Sequence, residues 1–287
     1  MVTLENAILK ASVSPKGAEL QSLFHKDNSV EYLWNGDPAF WNKHSPVLFP
    51  IVGGLKDNTY IYNNIEYNLP RHGFARDMEF VKERVFGDSC SFVLKNNEDT
   101  QKVYPFEFLL RIKYQLNANS VTITYEVENP GAEPLLFSIG THPAFQVPLI
   151  KGTTYEDYYF HFSELENSNR WTLKNNLIAE PVDYFKDQDK LSLNPNLFYD
   201  DALVFKDLKS TRISICSDKT THGLHCDFAG FPYMGLWAAK DAPFVCIEPW
   251  YGIADSINHN QKLEQKEGII KLESGGSWNA KWSISCF

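Results

Sequence analysis

Cysteine is scarce and unpatterned in this chain. There are five among 287 residues (Cys90, Cys216, Cys226, Cys246 and Cys286), an odd number with no CxxC pair. A paired disulfide framework is therefore excluded, and thiols of this kind suit a reducing compartment, where they behave as small buried hydrophobes. Excess basic charge is also missing. With 27 Lys+Arg against 36 Asp+Glu the formal net charge is −9, and there is no long basic run to draw nucleic acid or an anionic membrane as a partner. No window reaches the roughly 18 uninterrupted apolar residues of a membrane span. In the opening MVTLENAILKASV, Glu5 and Lys10 stand where a signal peptide needs its apolar stretch. A cytoplasmic protein is expected. No P-loop, GxGxxG or GxSxG is present, and Gly53-Gly54 is too short to cradle a nucleotide. His222-x2-His225-Cys226 gathers three metal-capable residues but lacks a convincing further ligand, so no metal is expected.

What the chain has is alternation. Val121, Ile123, Tyr125 and Val127 alternate with Thr122, Thr124, Glu126 and Glu128. Phe108, Leu110, Ile112, Tyr114 and Leu116 share one face upstream, and Trp278, Ala280, Trp282, Ile284 and Cys286 share one at the C-terminal end. Each run predicts a half-buried antiparallel strand. Asn63-Asn64 lies between two β-rich runs and predicts a tight reversal, because asparagine tolerates positive φ. Helices are expected to be few and short. Asp37-Pro38 predicts one or two turns over 37–41, and the polar stretch 256–268 has room for another. No linker, repeat or low-complexity segment divides the chain. The expectation is an all-β protein, one large antiparallel β-sandwich domain over 1–287 with long connections. Aromatic residues make up 14% of the chain, which fits either an aromatic-rich β core or a cleft whose flat walls stack on sugars.

Several segments break the alternation with clustered polar, aromatic and proline residues. Glu248 follows the apolar run Phe244–Ile247 and precedes Pro249-Trp250. Desolvation there raises a carboxyl pKa and suits general-base work; the competing reading is a structural carboxylate held by backbone N–H groups or an arginine. His142 is held extended by Pro143 and is either a cleft residue or a hydrogen-bonded core histidine. His72 and Arg76 can converge from the loop RHGFAR, with Arg76 offering a fork of donors; a surface ion pair between Arg76 and Asp77 is the alternative.

Taken in order, W-x(4)-PVLFPIVG at 41–53, HGFAR at 72–76, GTHPAF at 140–145, DALVF at 201–205 and IEPWYGIAD at 247–255 resemble the aldose 1-epimerase (mutarotase) family, in its LacX-like branch. The resemblance runs along almost the whole chain. It implies a galactose mutarotase-like supersandwich with an open cleft across one sheet, and interconversion of the α and β anomers of a free aldose without any cofactor. It assigns Glu248 as general base and His142 as general acid, with His72 and Asp201 at the sugar; Asp200 is the alternative to Asp201. Trp250 is expected beside the cleft, packing on the sugar or on Glu248. Better-known galactose mutarotases carry an Asn-Arg pair where this chain reads Gly54-Leu55-Lys56-Asp57-Asn58, and Arg76 is expected to take over that role. Two other functions fit the same resemblance: a hexose-6-phosphate mutarotase, with Lys43, Lys56, Arg71 and Arg76 as candidate phosphate cations, and a non-catalytic carbohydrate-binding protein.

Overall fold

The computed structural model describes residues 1–287, and its sheets are antiparallel throughout. A nine-stranded sheet runs, in spatial order, through Val81–Val85, Ser89–Lys95, Leu109–Asn117, Ser120–Glu128, Ser277–Cys286, Thr220–Asp227, Arg212–Ser217, Tyr158–Glu166 and Gln188–Ser192. The C-terminal strand thus lies at the centre of this sheet. An eight-stranded sheet runs through Leu177–Asp183, Asn169–Lys174, Leu203–Phe205, Tyr233–Trp237, Phe244–Tyr251, Ile139–Thr141 and Val47–Leu48, and Ala144–Gln146 pairs additionally with Phe244–Tyr251. This is the expected all-β sandwich. No helix is long and apolar enough to cross a membrane.

The alternation seen in the sequence explains how the sheets meet. Phe108, Leu110, Ile112, Tyr114 and Leu116 are buried, as are Val121, Ile123, Tyr125 and Val127. They belong to a hydrophobic cluster of 63 buried residues that also takes Ile139, Leu203, Phe205, Leu236, Val245 and Ile247 from the eight-stranded sheet. Apolar burial on this scale is the main stabilising term. Asn63-Asn64 makes the expected reversal: Tyr62 pairs with Ile65, and the two asparagines have φ of 49° and 62°, the values a two-residue primed turn requires.

Helical turns are present at both places where the sequence has room for them. Residues 37–41 form one turn, in which the Phe40 and Trp41 amides donate to the Asp37 carbonyl, and no helix continues from it. In 256–268 only Leu263–Gln265 is helical, as a 3-10 turn. The one α-helix is Glu98–Val103, a short segment with no amphipathic stripe to predict it. Its signal was local: the Asn97 side chain accepts from the Asp99 and Thr100 amides while the Thr100 hydroxyl accepts from the Asn97 amide, a reciprocal cap.

The face of the eight-stranded sheet turned away from the 63-residue core is also covered. Leu48, Val204 and Trp250 join one small apolar cluster, and Ala144, Phe244 and Cys246 join another. Along Phe244–Tyr251, therefore, Val245 and Ile247 point into the sandwich, and Phe244, Cys246, Glu248 and Trp250 point to the opposite face. Ile247→Ala is expected to lower stability by about 2–5 kcal/mol, read as a lower urea midpoint; a loss under about 1 kcal/mol would contradict this packing.

Candidate active site

Strand register places the central pair. Gly140 pairs with Trp250, and Ala144 pairs with Cys246. Carried across the intervening residues, that register sets His142 opposite Glu248. Pro143 has no N–H to continue the ladder, and the ladder is interrupted there while the imidazole reaches across. His142 Nε2 lies 3.3 Å from Glu248 Oε2. His142 is 8% exposed and Glu248 2%.

Glu248 differs from the other buried glutamates. Glu166 accepts from the Lys209 and Ser210 amides at 3.1 and 2.8 Å, and Glu19 accepts from the His44 and Ser45 amides at 2.8 and 3.1 Å. Those are structural carboxylates of the kind that competed for Glu248 in the sequence. Glu248 has neither a backbone N–H nor an arginine hydrogen-bonded to it; its close ionic neighbour is His142. Burial raises its pKa well above 4.5, and the Asp201 charge adds to the rise, while the Arg71 charge and the nearby Trp250 N–H oppose it. Burial also pulls His142 down to about 3, helped by the charges of Arg71 and Arg76. Both partners are thus driven towards their neutral forms, with the pair's single proton on the carboxyl. The raised carboxyl agrees with the expectation for Glu248, and burial to the same depth holds the imidazole neutral.

The cleft above the pair encloses about 280 Å³, close to the lower end of small-molecule sites. Its walls include His72, Arg71, Arg76, Trp41, Trp237 and Trp250. The Trp41 ring stacks on His142 at 4.8 Å, and Trp237 and His72 meet it edge-on at 5.5 and 5.8 Å. His72 has a determined tautomer: its Nδ1 accepts from the Gly53 amide at 3.1 Å. Burial and neighbouring cations hold its pKa well below 6.5, so the neutral ring keeps its proton on Nε2, available as a donor. Trp250 lies flat over two glycines. A Cβ on Gly140 or Gly235 would come within 2.5 or 2.4 Å of the indole, so only hydrogen at those positions lets the ring rest on the sheet.

His142, Glu248, His72, Arg76 and Trp250 therefore line one cleft. Asp201 stands at its rim beside the wall residue Ala202, whose amide donates to Asp201 Oδ1 at 2.7 Å, and its charge reaches Glu248; Asp200 is exposed. His72 and Asp201 have φ of 69° and 123°, conformations that cost a non-glycine residue about 1–3 kcal/mol each and recur at functional sites. Arg76 lies 3.7 Å from Asp77, as the alternative had it, and also donates to the Arg71 carbonyl at 2.9 Å. Arg71 is the cation that bears most on the acid–base pair. It donates to Asn176 at 2.8 Å across the cleft mouth. The sequence marked it only as a phosphate candidate; Trp41 entered only as the first residue of the 41–53 motif, and Trp237 and Asn176 were not singled out. The position of Trp237 was readable, because it shares a strand face with Gly235. Lys43 pairs with Asp77, and Lys56 donates to the His259 carbonyl, both outside the cleft wall. His222, His225 and Cys226 do not converge: Cys226 is in the core, while His225 bonds Ser214 and His222 meets Asn28.

This sandwich with a polar cleft on one outer sheet face is the architecture of galactose mutarotase-like proteins. The aldose 1-epimerase family model matches residues 1–273, and the chain belongs to that family. It is 35% identical over 282 residues to the plasmid-encoded protein LacX of Lactococcus lactis subsp. lactis, covering 94% of each chain. A galactose mutarotase related enzyme from Lactobacillus acidophilus superposes with a TM-score of 0.96 at 35% identity, over 99% of this chain and 96% of that one. A galactose mutarotase-like protein from Lactobacillus casei superposes at 0.93 and 28% identity over the full length of both.

The raised Glu248 pKa has a signed consequence for stability. Above pH 4.5 the unfolded chain loses this proton while the folded chain keeps it, so wild-type stability falls as pH rises toward the folded value. Glu248→Gln has no such loss. Its stability relative to wild type is expected to climb as pH rises above about 4.5, by at most about 1.4 kcal/mol per pH unit. A difference that stays flat in urea titrations over that range would mean the carboxyl is ionised in the folded protein.

Proposed function

We propose that the protein is an aldose 1-epimerase that opens and recloses the ring of a free aldose, with Glu248 and His142 exchanging the protons. The observation that supports this best is their 3.3 Å contact at the cleft floor, with no backbone N–H or arginine hydrogen-bonded to Glu248. Mutarotation needs one group to take the proton of the anomeric hydroxyl and another to protonate the ring oxygen. Glu248 as carboxylate takes the first proton, and His142 as imidazolium gives the second. The C1–O5 bond breaks, the aldehyde turns about C1–C2, and the hydroxyl attacks its other face with both roles reversed.

One proton serves the pair throughout. The neutral pair favoured by burial is the state reached after ring opening, so reclosure starts from it directly. The carboxylate–imidazolium form is its tautomer, favoured when the anomeric hydroxyl donates to Glu248. His72 Nε2–H, Arg71, Arg76 and Asp201 hold sugar hydroxyls, and the indoles of Trp41, Trp237 and Trp250 offer apolar faces. A binding protein without chemistry would need the walls but not a carboxyl left without structural partners.

Polarimetry on freshly dissolved α-glucose and α-galactose tests the reading. Wild type is expected to accelerate the change in rotation; Glu248→Gln and His142→Asn are each expected to lower kcat by at least about 10²-fold with the fold intact. Near-normal kcat in either folded variant would remove that residue from the mechanism. A hexose 6-phosphate is the second reading, supported by the presence of two arginines, Arg71 and Arg76, in the wall. Neutral sugars are expected to be preferred, since Lys43 and Lys56 are engaged elsewhere. A phosphate preference in kcat/KM of about tenfold or more would reverse that order.

A further inference from the structure

The acid–base pair has a third neighbour that mutarotation does not use. Cys246 lies two residues before Glu248 on the same strand, and alternation turns both side chains to the cleft face. The donor atoms of His142, Cys246 and Glu248 all lie within 4.8 Å of one another, and all three residues are buried. Cys246 is a free thiol, and no backbone N–H occupies the carboxyl of Glu248. An imidazole nitrogen, a sulfur and a carboxylate oxygen make the mixed donor set that borderline-soft divalent ions take, with zinc foremost.

We propose that His142, Cys246 and Glu248 form a reversible binding site for Zn²⁺ that shuts off the acid–base pair. Tetrahedral zinc with bonds of about 2.0–2.3 Å sets its donors about 3.3–3.7 Å apart. The His142–Glu248 contact already has that spacing at 3.3 Å, and a rotation of the Cys246 side chain brings in the third donor. The fourth position faces the cleft and is left to water or a sugar hydroxyl. Binding displaces two protons, one from the thiol and the one shared by the pair, and occupies the lone pairs of both proton-exchanging groups. The aromatic surround of Trp41, Trp237 and Phe244 keeps bulk water from competing. His142 Nδ1 has no hydrogen-bond partner. Resident zinc centres back this nitrogen with a carboxylate or carbonyl, which His142 Nδ1 lacks among its protein neighbours. The site as a metal site stands on its own geometry; its inhibitory effect rests on the mutarotase reading.

Titration of the intact protein with Co²⁺, a spectroscopic probe for zinc sites, tests the binding without any assay of activity. A thiolate-to-cobalt charge-transfer band is expected in wild type and in Cys226→Ser, lost in Cys246→Ser and displaced by Zn²⁺. In polarimetry, Zn²⁺ is expected to slow wild type, with reversal by chelator, and the inhibiting concentration is expected to rise at least tenfold in Cys246→Ser relative to its own metal-free rate. Cys246→Ala removes the ligand without placing a hydroxyl in the apolar wall, and serves if the serine variant does not fold. Absence of the band in wild type, or its persistence without Cys246, overturns the site. A band that depends on Cys246 with no zinc effect on an active enzyme overturns the inhibition. A protein without mutarotase activity that still gives the band leaves the site standing and removes the functional reading instead.

Discussion

Glu248 and His142 meet at 3.3 Å in a place that water barely enters, and most of the surrounding construction answers to that contact. A carboxyl and an imidazole brought together on a surface would form a weak ion pair. At this depth the cost of burying charge decides their state, and each is pushed towards neutrality. A pair in this state holds one mobile proton, which rests on the carboxyl, and the proposed ring opening moves it between the two members through the sugar.

The sandwich provides the depth. Residues 244–251 form a central strand whose inner face, through Val245 and Ile247, is fixed in the main core. Its outer face carries Glu248 and Trp250 under the tryptophan-lined cleft. Gly140 and Gly235, on the strands either side, let the Trp250 indole lie flat beside Glu248. The loop at 72 closes the other side, with the amide and carbonyl of Gly53 bonded to the ring and main chain of His72. Rigid strands therefore place Glu248 and His142, and loops supply the groups around them.

The strands and the class of fold were legible because period-two alternation reports directly which residues face a core, as at 108–116 and 121–127. Glu248 and His142 were legible through their settings, a carboxylate ending an apolar run and a histidine locked extended by proline. The contact between them was not, since it depends on the register of segments about a hundred residues apart. The proton's location was lost for the same reason, because burial of a pair is a tertiary property. Arg71 was undervalued as one more cation beside HGFAR; only the folded loop turns it towards Glu248. The helix at 98–103 was missed because its signal is a local cap with no amphipathic stripe behind it.

The pH dependence of kcat/KM for a neutral aldose tests the one-proton pair most directly, since it reports the ionisations of the free enzyme. Activity fails on the acid side only when the pair takes up a second proton, and burial places that event near the depressed value of His142, about 3. The account predicts a plateau that extends well below 6.5. An acid limb at the ordinary imidazole value, with the fold intact, would contradict it.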